Sequence, residues 1–450
     1  MPVKRPKTQS VGLCLGLFAL APAIAQAGDP APCASEAPSV LGNAGKAVSQ
    51  LTAAVRPPAY DDLYPDYAEM CGASQRIQKN VAGDVEPAGT GGPFGHGFFY
   101  LKGACRDENA PYPQIHLCTA NDPGEHGVGI SLDSDFQNTD WIAVPSKQLF
   151  LHGTANPGQP LTVGAYETTK SLAKSLQILK GVKFTDAFYS HLKPGADRLE
   201  AEYESTYGTD YAVENGRNLF CVKVPLRSEE LGKMVAFLNS RNAYYQANDN
   251  FVWSATNNCV TTTDNALAAA GFWNPEPISA PLYAFGHVSV PLDSFANWAV
   301  RTHDLPIENP IALFNDPDAR KMLMTTGALP LRPGVVTEYL GMNTPNAVFS
   351  NSVTEEYISI PPIFGVSQGK FKKLLEDPNY LELKPSLLSL EQRLVKVKAE
   401  RVPLSSLIQA MGREQRESGS SPQLSAFYDA YYKWVDQTLT QVQDQLAQLN

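Results

Sequence analysis

The sequence predicts an α+β fold, an antiparallel sheet packed on helices with a mostly helical region at the C-terminal end. Three observations carry that reading. Short strand-like runs follow one another at 97–102, 114–118, 127–132 and 141–144. Helical periodicity appears at 168–180, at 228–238 and at 260–270. The last segment sets Leu424, Phe427, Tyr428, Tyr431, Val435, Leu439, Val442, Leu446 and Leu449 on one stripe, the pattern of a helix that docks on its own protein. Strands and helices are partly segregated, which argues against a regular βαβ alternation.

Taken in order, residues 1–27 read as a secretory signal peptide. Lys4, Arg5 and Lys7 precede an apolar run from Val11 to Ile24, and Ala25-Gln26-Ala27 forms a small-x-small cleavage site. Pro22 breaks a run already short for a membrane span. Residues 28–92 are rich in Ala, Pro and Gly and predict an irregular segment with one or two short helices. A domain of mixed strands and helices is expected over 93–304. Within it, Leu172, Leu176 and Leu179 share one face of a helix at 168–180, capped by Thr168 or Thr169 and stopped by Gly181. A strand at 218–226 leads into a helix started by Ser228, with Glu229 and Glu230 in its first turn. Residues 280–300 return to strand-like texture. Residues 305–450 form a mixed and then helical region, with interruptions between 369 and 412 and a hinge at Gly419-Ser420-Ser421-Pro422.

Removing Lys4, Arg5 and Lys7 with the peptide takes the formal net charge from −10 to −13. An acidic chain without a basic cluster argues against nucleic acid and anionic membranes as partners. A hydrophobic content of 43% supports a large core. No cofactor is implied, and oligomeric state is left open.

Export permits disulfides. Cys14 leaves with the peptide, and six cysteines remain: Cys33, Cys71, Cys105, Cys118, Cys221 and Cys259. Cys105 and Cys118 flank a Pro-rich loop between two strand-like runs and suit a local bridge; Cys33 with Cys71 forms a second pair. Two arrangements are then open. A free Cys259 leaves Cys221 as a buried thiol on its strand, whereas a Cys221–Cys259 bridge removes any nucleophile.

Several motifs fail on their chemistry. Gly42-Asn43-Ala44-Gly45-Lys46 has Val40 where a P-loop needs its first glycine and Ala47 where it needs a hydroxyl. Gly365-Val366-Ser367-Gln368-Gly369 has nucleophile-elbow spacing, but such a serine needs a histidine downstream and the last one is His303. Asp133, Asp135, Asn138 and Asp140 lack the spacing and glycine of a calcium loop and read as a solvated turn. His116 and His126 have no partners at zinc spacing, so no metal site is expected.

A cysteine and two histidines remain. Cys259, in Asn257-Asn258-Cys259, opens a helix after an aromatic stretch. A thiol on the first turn faces unpaired N–H groups and the positive end of the helix dipole, a setting suited to a nucleophile. The plainer reading is a small buried hydrophobe. His96, after Phe94-Gly95, opens the strand at 97–102 and could take the thiol proton as general base; the plainer reading is a hydrogen-bonded histidine at a strand edge. His287, in a second Phe-Gly-His at 285–287, is the rival base.

Phe94-Gly95-His96-Gly97-Phe98-Phe99-Tyr100-Leu101 and Asn257-Asn258-Cys259-Val260-Thr261, in that order and at that distance, resemble the circularly permuted branch of the papain-like NlpC/P60 superfamily. The strand at 219–226, the acidic helix from Ser228 and Tyr244-Tyr245 are similar to an uncharacterised family of bacterial envelope proteins in that branch. The resemblance covers about residues 90–300. It implies a papain-like core, with Cys259 as nucleophile and His96 as base. A third, orienting residue is implied from a neighbouring strand. Ser131 stands at about that place and His116 is the other candidate; neither is the Asn that the envelope family prefers. The backbone N–H of Cys259, with Asn257 or Asn258, would form an oxyanion hole. Apart from the resemblance, Tyr244, Tyr245, Phe251, Trp253 and Trp273 around the cysteine could wall a cleft, though most of them are expected to be core. The expected activity is a periplasmic or secreted cysteine hydrolase acting on a cell-envelope substrate, peptidoglycan stem peptides first and lipid acyl groups second. The competing expectation is an inactive secreted binding or scaffold protein with Cys259 buried or bridged.

Overall fold

A computed structural model describes residues 59–74, 95–254, 257–272, 291–349, 373–410 and 420–449. The signal peptide, Cys33, the Gly42–Lys46 and Gly365–Gly369 motifs, Trp273 and His287 lie outside the described residues.

In chain order the elements are α1 (Tyr60–Leu63), β1 (Tyr67–Ala73), β2 (His96–Lys102), β3 (Ala104–Arg106), β4 (Ile115–Leu117), β5 (Gly127–Ser131), β6 (Ile142–Pro145), α2 (Lys147–His152), α3 (Val163–Ser175), α4 (Asp186–Ser190), α5 (Arg198–Tyr207), a 3₁₀ turn (Val213–Asn215) and β7 (Leu219–Pro225). There follow α6 (Ser228–Asn248), α7 (Cys259–Ala269), α8 (Pro291–Asp304), α9 (Pro310–Asn315), α10 (Pro317–Thr326), β8 (Val336–Leu340), α11 (Pro378–Leu381), α12 (Leu383–Ala399), α13 (Leu404–Ala410) and α14 (Ser420–Gln448). The protein is therefore α+β. Six strands form one sheet in the order β6-β5-β2-β1-β7-β8, every neighbouring pair antiparallel. Strands β3 and β4 form a separate two-stranded sheet. All described residues belong to one compact unit, Pro57–Asn450.

The sheet is covered on both faces, and alternation along its strands assigns each face a core. Phe99 and Leu101 of β2, Met70 of β1, Ile130 of β5 and Val222 of β7 join Leu231 and Leu238 of α6, Val260 and Leu267 of α7, and Trp298 of α8. Phe98 and Tyr100 of β2, with Cys71 and Ala73 of β1, face Phe150 of α2, Tyr166 of α3 and Tyr207 of α5. A third cluster joins α9 and α10 to α12, α13 and α14. There the C-terminal stripe from Leu424 to Leu446 is buried as its periodicity predicts, with Leu449 partly covered.

Several expectations are corrected. The segment 28–92 is not wholly irregular: it holds β1, an inner strand of the sheet between β2 and β7. Tyr67-Ala-Glu-Met-Cys-Gly-Ala shows no polar–apolar alternation because all seven residues are buried. The helix expected at 168–180 is α3, starting at Val163, because the Thr162 side chain accepts from the Ala165 N–H. Its buried positions are Tyr166, Thr169, Lys170 and Ala173, while Leu172 is exposed. The described part of 280–300 is helix α8, not strand; Pro291 occupies its first position and Phe295, Ala296, Trp298 and Ala299 are its buried face. Ser420–Pro422 lies in the first turn of α14 and is no hinge.

The cysteine pairing also differs. Cys105 and Cys118 are bridged as expected, but Cys71 is bonded to Cys221, not to Cys33, and Cys221 is therefore no free thiol. The register of β1 on β7 sets Cys71 directly opposite Cys221, with Cα atoms 4.1 Å apart. A bridge between Cys221 and Cys259 is thereby excluded. Among the described residues Cys259 is the free cysteine.

Candidate active site around Cys259 and His96

Helix α7 starts where Asn258 caps it. The Asn258 Oδ1 accepts from the N–H groups of Val260 (3.0 Å) and Thr261 (3.2 Å), and the Thr261 hydroxyl accepts from the Asn258 N–H. Such a cap contributes about 1 kcal/mol. It makes Cys259 the first helical residue, buried to 3% exposure. The helix lies across β2, where Gly97 leaves room for it. A β-carbon at Gly97 would stand 3.8 Å from the Cys259 Sγ and 3.6 Å from both Val260 Cγ2 and Pro291 Cβ.

His96 immediately precedes that glycine. Gly95, at φ +74°, makes the turn into β2, and any side chain there would collide with the carbonyl oxygen of Ala73. Alternation turns the His96 ring to the face opposite Gly97, where it packs against Phe98 with ring centroids 5.7 Å apart. Its Nε2 lies 2.8 Å from Ser131 Oγ at the end of β5 and 3.2 Å from Asp210 Oδ1. The Ser131 hydroxyl donates to Asp210 Oδ1 at 2.9 Å. Sulfur and imidazole thus approach the start of β2 from its two sides, separated by the one residue without a side chain.

Asp210 is the residue the sequence reading missed. It follows α5 in a turn, 79 positions from Ser131, and no local pattern marks it. It is fully buried. Burial pushes its carboxyl well above the usual range, with the nearby Asp133 carboxylate adding to the shift and Ser131 and Arg217 opposing it. Ser131 is itself fully buried and its proton is engaged by Asp210, so it is no nucleophile despite its histidine contact.

The expected side-chain oxyanion donors are engaged elsewhere. Asn257 Nδ2 donates to Tyr245 Oη (3.2 Å) and to the Val252 carbonyl (3.0 Å), and Asn258 Nδ2 donates to the Ser254 carbonyl (3.2 Å). That leaves the N–H of Cys259, which as the first of the helix has no intrahelical acceptor. The two asparagines instead shape the loop. Arg241 of α6 donates to Asn257 Oδ1 (2.8 Å) and to Asp140 Oδ2 (2.7 Å), and its guanidinium lies 5.1 Å over the Tyr245 ring. Asp140 also accepts from Thr262 in the first turn of α7. One buried ion pair therefore grips the chain on both sides of Cys259.

This overturns the solvated-turn reading of 133–140, since Asp133, Asn138 and Asp140 are all buried. His116, the other third-residue candidate, sits on the separate sheet and faces Asp122 at 2.9 Å. Of the aromatics expected to wall a cleft, Tyr245 and Phe251 are core, Trp253 is partly buried and Tyr244 is exposed. Among the described residues, the cluster with metal-ligand chemistry is Glu69 with Cys71 and Cys221, and both of its sulfurs are held in the disulfide. Comparison with protein-family models, with curated proteins and with solved structures finds no match.

Proposed function

We propose that the protein is an exported thiol hydrolase that cleaves an amide or related acyl bond of the bacterial envelope, with Cys259 as nucleophile and His96 as base. The observation that carries this reading is the free Cys259 on the capped first turn of α7, seated against Gly97, the strand neighbour of a histidine whose ring is held by Ser131 and Asp210. The two disulfides fit an oxidising compartment, and among the described residues no helix is long and apolar enough to cross a membrane.

In the reaction the thiol proton passes to His96 as sulfur attacks the carbonyl carbon. The C–N or C–O bond breaks, and the leaving group takes the proton from His96. Water activated by the same imidazole then hydrolyses the thioester. The Cys259 N–H would stabilise the oxyanion, a contribution of about 3 kcal/mol for such a donor. Peptidoglycan stem peptides are the first substrate class and lipid acyl groups the second, as the papain-like resemblance implies.

A second reading, an inactive binding or scaffold protein, is favoured by the low exposure of Cys259 and by the ring and sulfur standing on two sides of β2. Alkylation of the native, unreduced protein followed by peptide mass spectrometry separates the two. The hydrolase reading expects modification of Cys259 at neutral pH in the folded protein. Modification that appears only on unfolding would falsify it. Incubation with muropeptides and with acylated lipids, read by mass loss, then tests the bond.

A further inference from the structure

We infer that Asp210 is a positioning residue that fixes the tautomer of His96, holding the proton on Nε2 and leaving Nδ1 as the basic nitrogen. The inference rests on the hydrolase reading for its purpose, but the proton inventory stands on the hydrogen-bond geometry together with the burial of Asp210. Two oxygens lie within reach of Nε2, Ser131 Oγ at 2.8 Å and Asp210 Oδ1 at 3.2 Å. A serine hydroxyl has one proton, and Ser131 directs it to Asp210 Oδ1 at 2.9 Å. Toward the imidazole Ser131 can therefore only accept.

Asp210 Oδ1 is likewise an acceptor. The other oxygen, Oδ2, is buried and accepts no hydrogen bond from an N–H or hydroxyl group. Burial and then the nearby Asp133 favour a proton on Asp210, and Oδ2 is the position that explains how a buried oxygen can lack a donor. Its proton is then shared with Asp133, and Oδ1 stays free to accept from both Ser131 and His96. With two acceptors and no donor around it, Nε2 carries the hydrogen. Nδ1 keeps its lone pair, the state required to take a proton from a thiol.

The chain of control runs from Asp210 through Ser131 to the ring. Without Asp210 the serine hydroxyl is released to donate to Nε2, and the proton moves to Nδ1, where it blocks the base.

The test is nitrogen NMR of the full-length protein labelled with ¹⁵N-histidine, at alkaline pH, with His96 assigned by its loss in His96→Gln. The Cys259→Ala background is used, so the readout is independent of thiol chemistry. The expected result is a protonated-type shift at Nε2 and a bare-type shift at Nδ1. The Nδ1–H tautomer in the otherwise unaltered protein overturns the inference, and no Asp210 variant is needed for that outcome. In Asp210→Ala the Nδ1–H form should become the major one; an unchanged tautomer in a folded Asp210→Ala protein also overturns it. Ser131→Ala should retain Nε2–H, because Asp210 Oδ1 remains within reach. Failure of Cys259 to acylate would sink the hydrolase reading and leave the tautomer result standing, so the two failures are distinguishable.

Discussion

The two sides of β2 are built on different principles. On the side of α7 the Cys259 sulfur belongs to an apolar core with Phe99 and Val260, and its loop is held from behind by Asp140, Arg241 and Asn257. On the other side the imidazole is held by Ser131 and Asp210, with Asp133 behind Asp210, a connected polar group. One side fixes where the sulfur stands and the other fixes how the imidazole is hydrogen-bonded. A Cys–His pair divided in this way depends on both supports, and each can be removed separately.

The largest effect is expected on the sulfur side. Asp140 is fully buried and Arg241 is 12% exposed, so Arg241→Ala leaves an uncompensated carboxylate in the core. Loss of one partner of such a pair costs about 3–5 kcal/mol. Burial already raises the Asp140 carboxyl above its usual range despite Arg241. The deficit should therefore shrink at acid pH, where Asp140 can take up a proton. Urea unfolding of Arg241→Ala at neutral and acid pH measures both; a loss under 1 kcal/mol would mean the pair does not anchor the Cys259 loop.

Removing the imidazole tests whether the two sides communicate. His96→Ala should slow alkylation of Cys259 at neutral pH by about 10²-fold, the lower end of what a positioned base contributes. His287→Ala should leave the rate unchanged. The opposite result would transfer the role of base to His287, four residues before the proline that touches the same glycine.

These supports differ in how far the sequence reveals them. The helix at Cys259 is legible because its signals are local: Asn258 as cap, Thr261 three residues on, Gly271 after the end. The antiparallel runs of β2, β5 and β7 are legible for the same reason, and so is the C-terminal stripe. Strand β1 is not, because a strand buried on both faces has no alternation to read. The Cys71–Cys221 pairing depends on the register of two strands about 150 residues apart, which spacing does not encode. Asp210 and Arg241 escape for a related reason. A polar residue buried by tertiary contacts looks in sequence like any surface residue, as the misread run from Asp133 to Asp140 shows. Ser131 could be named because a strand neighbour of His96 was required, whereas the residue that directs its proton lies in an unpatterned turn.

On the imidazole side, Asp210 gives stability a pH dependence. Its folded pKa is raised above the ordinary value of 3.8, chiefly by burial and then by Asp133, with Ser131 and Arg217 opposing and His96 facing it. A raised value means the folded state binds the proton more tightly. The associated stability is complete below the unfolded pKa and is lost as pH rises through the folded one. Relative to Asp210→Asn, which has no such titration, the native protein should lose up to about 1.4 kcal/mol per pH unit above pH 4 until the folded value is passed. Parallel stability curves for the two proteins would show that Asp210 is ionised in the fold, contrary to a proton shared with Asp133.

The smallest expected change in stability falls on the residue between the two sides. Gly97 has ordinary strand geometry, and a β-carbon there would meet Val260, Pro291 and the Cys259 Sγ at 3.6–3.8 Å, distances of normal contact. Gly97→Ala should therefore fold as well as the native chain, or better by about 0.4–1 kcal/mol through the unfolded state. The added methyl nevertheless stands 3.8 Å from the sulfur, on the side of β2 that an imidazole would have to reach under the hydrolase reading. A displacement of 1 Å can cost about 10²-fold in rate, and an alkylation rate falling toward that of His96→Ala, with stability retained, would show that the route between the two sides runs past Gly97. An unchanged rate would place the base on the sulfur's own side of the strand.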